Sequence, residues 1–138
     1  MKISAEVQNS KGQHQVIVRT NDKAQNLTIP SKSSGNGSSV NGGELLFLAL
    51  ATCYCNDLYR EAAKRRIEIE NVEVEVEGEF GADGEAARNI TYRAKVNAKA
   101  DEAQIRELMT ETDKVAEIHN TLRQGAPIIL SSIDALSV

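Results

Sequence analysis

ELLFLALATC, residues 44–53, is the stretch on which the fold turns. Past Glu44 it offers no polar face, and a helix that is apolar all round must be covered on every side. Asn41 is placed to cap it, with Glu44 three residues on, the spacing at which a glutamate bonds back to the cap amide. After Cys55 the pattern turns amphipathic, and Arg60, Glu61, Lys64, Arg65 and Arg66 lead out to solvent. One helix is therefore expected to run to about Arg66. In a chain of 138 residues, read as a single domain over 1–138, the cover would be a sheet on one side and another helix or a partner subunit on the other.

Upstream, residues 2–8 and 14–20 have strand composition about a turn at Ser10-Lys11-Gly12-Gln13, and a third strand is expected near Gln25 to Ile29, forming a meander. Pro30 ends it, and the Ser/Gly-rich run 31–43 is a loop of high backbone freedom. Downstream, Val72, Val74 and Val76 alternate with Glu73, Glu75, Glu77 and Glu79. Gly81-Ala82-Asp83-Gly84 supplies a turn. The returning arm sets Ile90, Tyr92, Ala94, Val96 and Ala98 against Arg93, Lys95 and Lys99, so the outer faces carry complementary charge. The glutamate row reads as a solvated, salt-bridged surface, because identical exposed carboxylates lack the asymmetry that acid–base catalysis needs. A second helix is capped by Asp101 with Gln104. Its buried stripe is traced by Ile105, Leu108, Met109, Thr112, Val115, Ile118, His119 and Leu122, with a break allowed near Thr112-Asp113. Gly125 and Pro127 end it. The tail PIILSSIDALSV reads as one or two final strands, with Ile128 to Leu130 buried. The class is α+β, antiparallel sheets around two long helices.

A net charge of −4 with scattered Lys and Arg gives no footprint for nucleic acid. The longest apolar run, Leu45 to Ala51, falls short of the roughly 20 residues that span a bilayer, so no membrane segment is expected. The first residues lack the apolar core of a secretory signal, and two cysteines one residue apart make no disulfide framework. Both point to the cytoplasm. GNGSSV (35–40) lacks the third glycine of a dinucleotide fingerprint, there is no phosphate-binding GxxxxGK[ST], and His14 and His119 lack ligand spacing. No cofactor and no metal are expected, and His119 reads as a surface or half-buried residue.

Cys53 remains. On a helix Leu46, Leu50 and Asp57 share its face, while Cys55 is rotated about 200° away and cannot bridge to it. It is either a buried structural thiol or a reactive one. A reactive thiol must become a thiolate, helped by a cation, a histidine, a metal or a helix N-terminus. Cys53 lies too deep in the helix for the macrodipole. A cation would have to come from Arg19, Lys11 or Arg60.

The run Val40 to Leu58, with ELLFLALATC at its centre, resembles the OsmC/Ohr family of thiol-dependent peroxide reductases, whose central helix carries a cysteine after a motif like P-x-E-L-L-L-A-x-L-x-x-C. The likeness extends through most of the chain, to Ala116-Glu117-Ile118-His119-Asn120-Thr121-Leu122, which is similar to the family's C-P-V-x-x-T-L. The resemblance implies an OsmC/Ohr-like fold in an intertwined homodimer, with the cysteine sites at the subunit interface. It implies that Cys53 is attacked by the peroxide, that Arg19 or Arg60 holds the thiolate, and that Glu44 orients the cation. In the Ohr branch that glutamate stands one residue earlier, where this chain has Gly43. Ala116 occupies the position of the resolving cysteine and Glu117 that of the following proline. The implied activity is thus reduction of hydrogen peroxide or an organic hydroperoxide in a one-cysteine or impaired cycle, with an external thiol as reductant. The alternative is a non-catalytic homodimeric relative that binds a small ligand or transfers thiol groups.

Overall fold

The computed structural model describes residues 1–138, which divide into two compact units, Met1–Leu46 and Phe47–Val138. In the first, β1 (Ile3–Ser10), β2 (Gln13–Thr20) and β3 (Lys23–Leu27) form an antiparallel meander in the order β1-β2-β3. Gly12 turns the first corner with φ 72°, and Asn21 turns the second with φ 53°. Because Asn21-Asp22 makes that corner in two residues, β3 begins two positions earlier than its composition suggests. The Ser/Gly loop folds back on itself through a Ser31–Ser38 bridge, and the Gly37 amide donates to Asn9 Oδ1 at 3.2 Å.

Helix α1 (Gly42–Lys64) starts as expected. The Asn41 amide donates to Glu44 Oε1 at 3.0 Å and the Glu44 amide to Asn41 Oδ1 at 2.8 Å, a closed capping box. In the second unit, β4 (Ile69–Glu79) pairs antiparallel with β5 (Arg88–Ala98), placing Val72 opposite Val96, Val74 opposite Ala94 and Val76 opposite Tyr92. Their other face is charged, with Arg93 Nη2 2.9 Å from Glu75 Oε1. The apolar face packs on a core of Tyr54, Leu58 and Ala62 from α1 and Leu108 from the next helix. The Tyr54 hydroxyl donates to the Met109 carbonyl at 2.8 Å, so the one polar atom of that ring is satisfied inside the core.

Helices α2 (Glu102–Val115) and α3 (Glu117–Arg123) replace the single second helix. Asp101 and Gln104 cap α2 reciprocally, as read. The break falls at Ala116, whose ψ is 108°, and not at Thr112-Asp113. Thr112 Oγ1 donates back to the Leu108 carbonyl at 2.7 Å, and Asp113 accepts from Tyr92 and Arg123, so neither side chain is free to cap. The break also shifts the helical phase. Ala116 turns inward and His119 keeps its place in the buried stripe, while Val115, Ile118 and Leu122, which the stripe also included, are exposed. His119 is 4% exposed, which corrects its surface or half-buried reading. At the end of α3 the amides of Gly125 and Ala126 bond the carbonyls of Leu122 and Thr121, a Schellman closure with Gly125 at φ 64°.

Two further expectations are corrected. The tail forms no strand, and Ile128, Ile129 and Leu130 are 99%, 78% and 79% exposed. No strand of this chain pairs with it. Nor is the apolar start of α1 covered on all sides, since Leu48 is 58% exposed.

Candidate functional site

The site grows from the one-turn spacing of Cys53 and Asp57 on α1. Residues four apart lie one above the other on a helix, and the Cys53 thiol donates toward Asp57 Oδ2 at 3.5 Å. The break at Ala116 then brings Glu117, the first residue of α3, to the same place, with Oε2 4.0 Å from Cys53 Sγ. Arg60 closes the group. Its Nη1 lies 3.1 Å from Asp57 Oδ1 and 2.9 Å from Glu117 Oε1, and its Nε 3.1 Å from Glu61 Oε2. Asp57 is almost wholly buried, Cys53 half-buried and Glu117 exposed.

The electrostatics follow from that arrangement. Burial pushes the Cys53 thiol above its ordinary value; the Ile118 amide opposes this, while Asp57 and Glu117 add to it. The thiol therefore keeps its proton at neutral pH. Burial likewise raises Asp57, with the neighbouring Glu117 adding to the effect. Glu117 is lowered, first by its own backbone amide at the start of α3 and then by Asp57 and Arg60. Of the two carboxylates, Asp57 is therefore the weaker acid. One sulfur and two carboxylate oxygens lie within 4.8 Å of one another, a donor set of the kind divalent ions accept. Arg60 already engages both carboxylates.

Of the residues picked out from the sequence, the structure brings together Cys53, Asp57 and Arg60. Glu44 is engaged in the cap of α1 and Arg19 pairs with Glu6 at 3.5 Å, both within the first unit. Cys55 lines a shallow groove with Ala51, Thr52, Asn56 and Val74, away from Cys53, and both cysteines are free. Glu117 was visible only as a departure from a motif. The signal that could have raised it is its place directly after the break, where a carboxylate meets free amides.

No helix of the chain is long and apolar enough to cross a membrane. Compared by sequence with curated proteins, the chain matches none. The profile of the OsmC-like protein family matches residues 35–131. Among solved structures, an OsmC-like protein from Mycoplasma pneumoniae superposes with a TM-score of 0.61 at 20% identity, covering 89% of each chain. An organic hydroperoxide resistance protein OsmC from Legionella pneumophila gives 0.60 at 16% identity, covering 89% of this chain and 90% of that one. The organic hydroperoxide resistance protein OhrB of Bacillus subtilis gives 0.53 at 19%, covering 88% and 92%. At these identities the likeness establishes a shared fold.

Proposed function

Since this chain belongs to the OsmC-like protein family, we propose that it is a homodimeric thiol protein in which Cys53 reduces hydrogen peroxide or an organic hydroperoxide in a one-cysteine cycle. The observation that carries this reading is that Cys53 contacts Asp57 and Glu117, both of them held by the Arg60 guanidinium, the cation this cluster brings nearest the thiol. Once deprotonated, the sulfur attacks one peroxide oxygen. The S–O bond forms as the O–O bond breaks, the sulfur is oxidised to a sulfenic acid, and the leaving alkoxide, or hydroxide when the substrate is hydrogen peroxide, takes a proton to become the alcohol or water. An external thiol then displaces water to give a mixed disulfide, and a second thiol releases Cys53 and the disulfide product. The chain offers no second thiol for this step: Ala116 stands at the resolving position and Cys55 lines another face.

The dimer is supported by apolar surface that a monomer leaves in water, namely Leu48 on α1 and the tail from Ile128 to Leu136. Arg60 has its place beside the carboxylates, whereas Arg19 as activating cation and Glu44 as its orienting partner rest on the resemblance alone. A second reading, without turnover, is favoured by one observation: burial and both carboxylates hold Cys53 as the thiol.

One experiment separates the two. Reduced protein is treated with one equivalent of hydroperoxide, trapped with a sulfenic-acid reagent and mapped by mass spectrometry. The peroxidase reading expects the adduct on Cys53, loss of peroxide consumption in Cys53→Ser and its retention in Cys55→Ser. A Cys53 that stays a thiol while peroxide persists overturns it. Arg60→Ala against Arg19→Ala then decides which guanidinium serves the thiolate.

A further inference from the structure

Within α3 only His119 is buried, while Ile118 and Leu122 are exposed. The other ties of this short helix are polar contacts at the surface: Glu117 to Arg60 at 2.9 Å, the Asn120 side chain to the Lys114 carbonyl at 2.9 Å, and Arg123 to Asp113 at 2.8 Å. Exposed ion pairs of that kind are worth little each. The His119 ring is seated against Tyr54 of α1 and Tyr92 of β5, with centroids 6.1 and 4.8 Å away, and both of its nitrogens are buried without a hydrogen-bond partner. A neutral imidazole there is costly and an imidazolium far more so, since a second N–H and a full charge would be shut away from water. The same helix begins with two groups that reach Cys53: Glu117 Oε2, 4.0 Å from the sulfur, and the Ile118 amide.

We propose that His119 is an acid-released pin: protonation expels its ring from beside Tyr54 and Tyr92, α3 lifts away, and Glu117 and the Ile118 amide leave Cys53. Acidification thereby uncovers the thiol that the preceding reading assigns to peroxide; that consequence rests on the reading, whereas the release itself does not. The groups facing the ring leave His119 as the trigger. Tyr54 from α1 and Tyr92 from β5, both raised by burial, stay neutral on acidification. Asp113 of α2, whose burial is outweighed by its bonds from Arg123 and Tyr92, is held below its ordinary range and stays ionised. Arg123 of α3 itself, raised by its bond to Asp113, stays charged. Leu50 of α1 and Val76 of β4, which line the neighbouring cavity with it, carry no charge. Burial first, and then the Arg123 charge, holds the docked ring below the usual histidine range, with Asp113 opposing. A ring that takes its proton more readily when released shifts the helix toward the released state as pH falls.

The test is amide hydrogen exchange of the full reduced chain, read by mass spectrometry at pH 7.5 and pH 5. Divided by the intrinsic exchange rate at each pH, it gives the opening equilibrium of each segment. Opening of residues 117–123 should grow between pH 7.5 and 5 by up to about thirtyfold, the limit for a ring that titrates near 6.5 when released and takes no proton when docked. Residues 54–62 of α1 should not follow. His119→Phe keeps a ring beside the two tyrosines and cannot titrate, so its α3 should open equally at both pH values. Asp57, raised by burial and lying against Glu117, is the competing trigger, and Asp57→Asn should retain the rise. An unchanged opening of α3 in the native chain, a rise that persists in His119→Phe, or a rise abolished by Asp57→Asn would each overturn the proposal. Where His119→Phe does not fold, an NMR titration of the native His119 ring decides. A midpoint below about 6.5 that coincides with the opening of α3 supports the release, and a midpoint at or above it with α3 still protected overturns it. No peroxide enters either measurement, so an inert Cys53 and a failed release are told apart.

Discussion

Cys53 shows how far a single residue's chemistry depends on what reaches it. Its face on α1 was readable, because the 3.6-residue repeat puts Asp57 one turn above it. Its protonation was not, because Glu117 arrives from 64 residues away. With the thiol raised by burial first and then by Asp57, the reactive thiolate gains population only as pH climbs past the ordinary thiol range. Alkylation of Cys53 in a Cys55→Ser background should therefore be slow at pH 7 and still accelerating above pH 9, as followed by peptide mass spectrometry against pH. Asp57→Asn should move that profile to lower pH, and Glu117→Gln should do so by less, since Glu117 is the smallest of the causes. A profile unchanged by either substitution would remove the carboxylates from the account.

Among the elements, local signals served well wherever backbone groups are satisfied close by in sequence. Both capping boxes and the two faces of β4 and β5 were legible for this reason, since a cap closes within three residues and an alternating strand can expose its charges only one way. Asp101→Ala should cost about 1 kcal/mol of stability, the usual worth of an N-cap, measured by urea unfolding. Leu58 and Leu108, both fully buried, meet where α1 and α2 close over the sheet. Leu58→Ala or Leu108→Ala should cost about 2–5 kcal/mol, the spread reflecting how far the site can collapse. The helix break was read at the wrong residues because Thr112 and Asp113 are cap formers by type, yet here their side chains bond Leu108, Tyr92 and Arg123. Propensity identifies what a side chain could cap and does not show what it will find.

For the whole molecule, stability should carry the imprint of its buried acids. Burial, with Asp113 adding to it, pushes Tyr54 up to about 12, and Tyr92 is raised further by burial and its bond to Asp113. A raised acid favours the folded state only while it stays protonated. That contribution is complete below the ordinary tyrosine value of about 10 and declines as pH rises from there through about 12. Thermal unfolding between pH 9 and 12 should therefore show a falling Tm, and Tyr92→Phe should flatten part of the fall. Sedimentation should give twice the 15.0 kDa chain mass, the state in which Leu48 and the tail leave water.

The sequence by itself determined what its periodicities encode: an α+β chain with a meander, a capped apolar helix bearing Cys53, a charge-striped hairpin and a second helical segment. These follow from backbone geometry repeating every two or 3.6 residues, which side-chain polarity reports directly. Only the tertiary structure decided that the second helix breaks at Ala116, that Glu117 is set against the thiol, that His119 is buried without a partner, and that Ile128 to Leu130 stay exposed. Each depends on contacts between residues distant in the chain, and no local pattern records which carboxylate will reach the thiol or which apolar segment will find no partner.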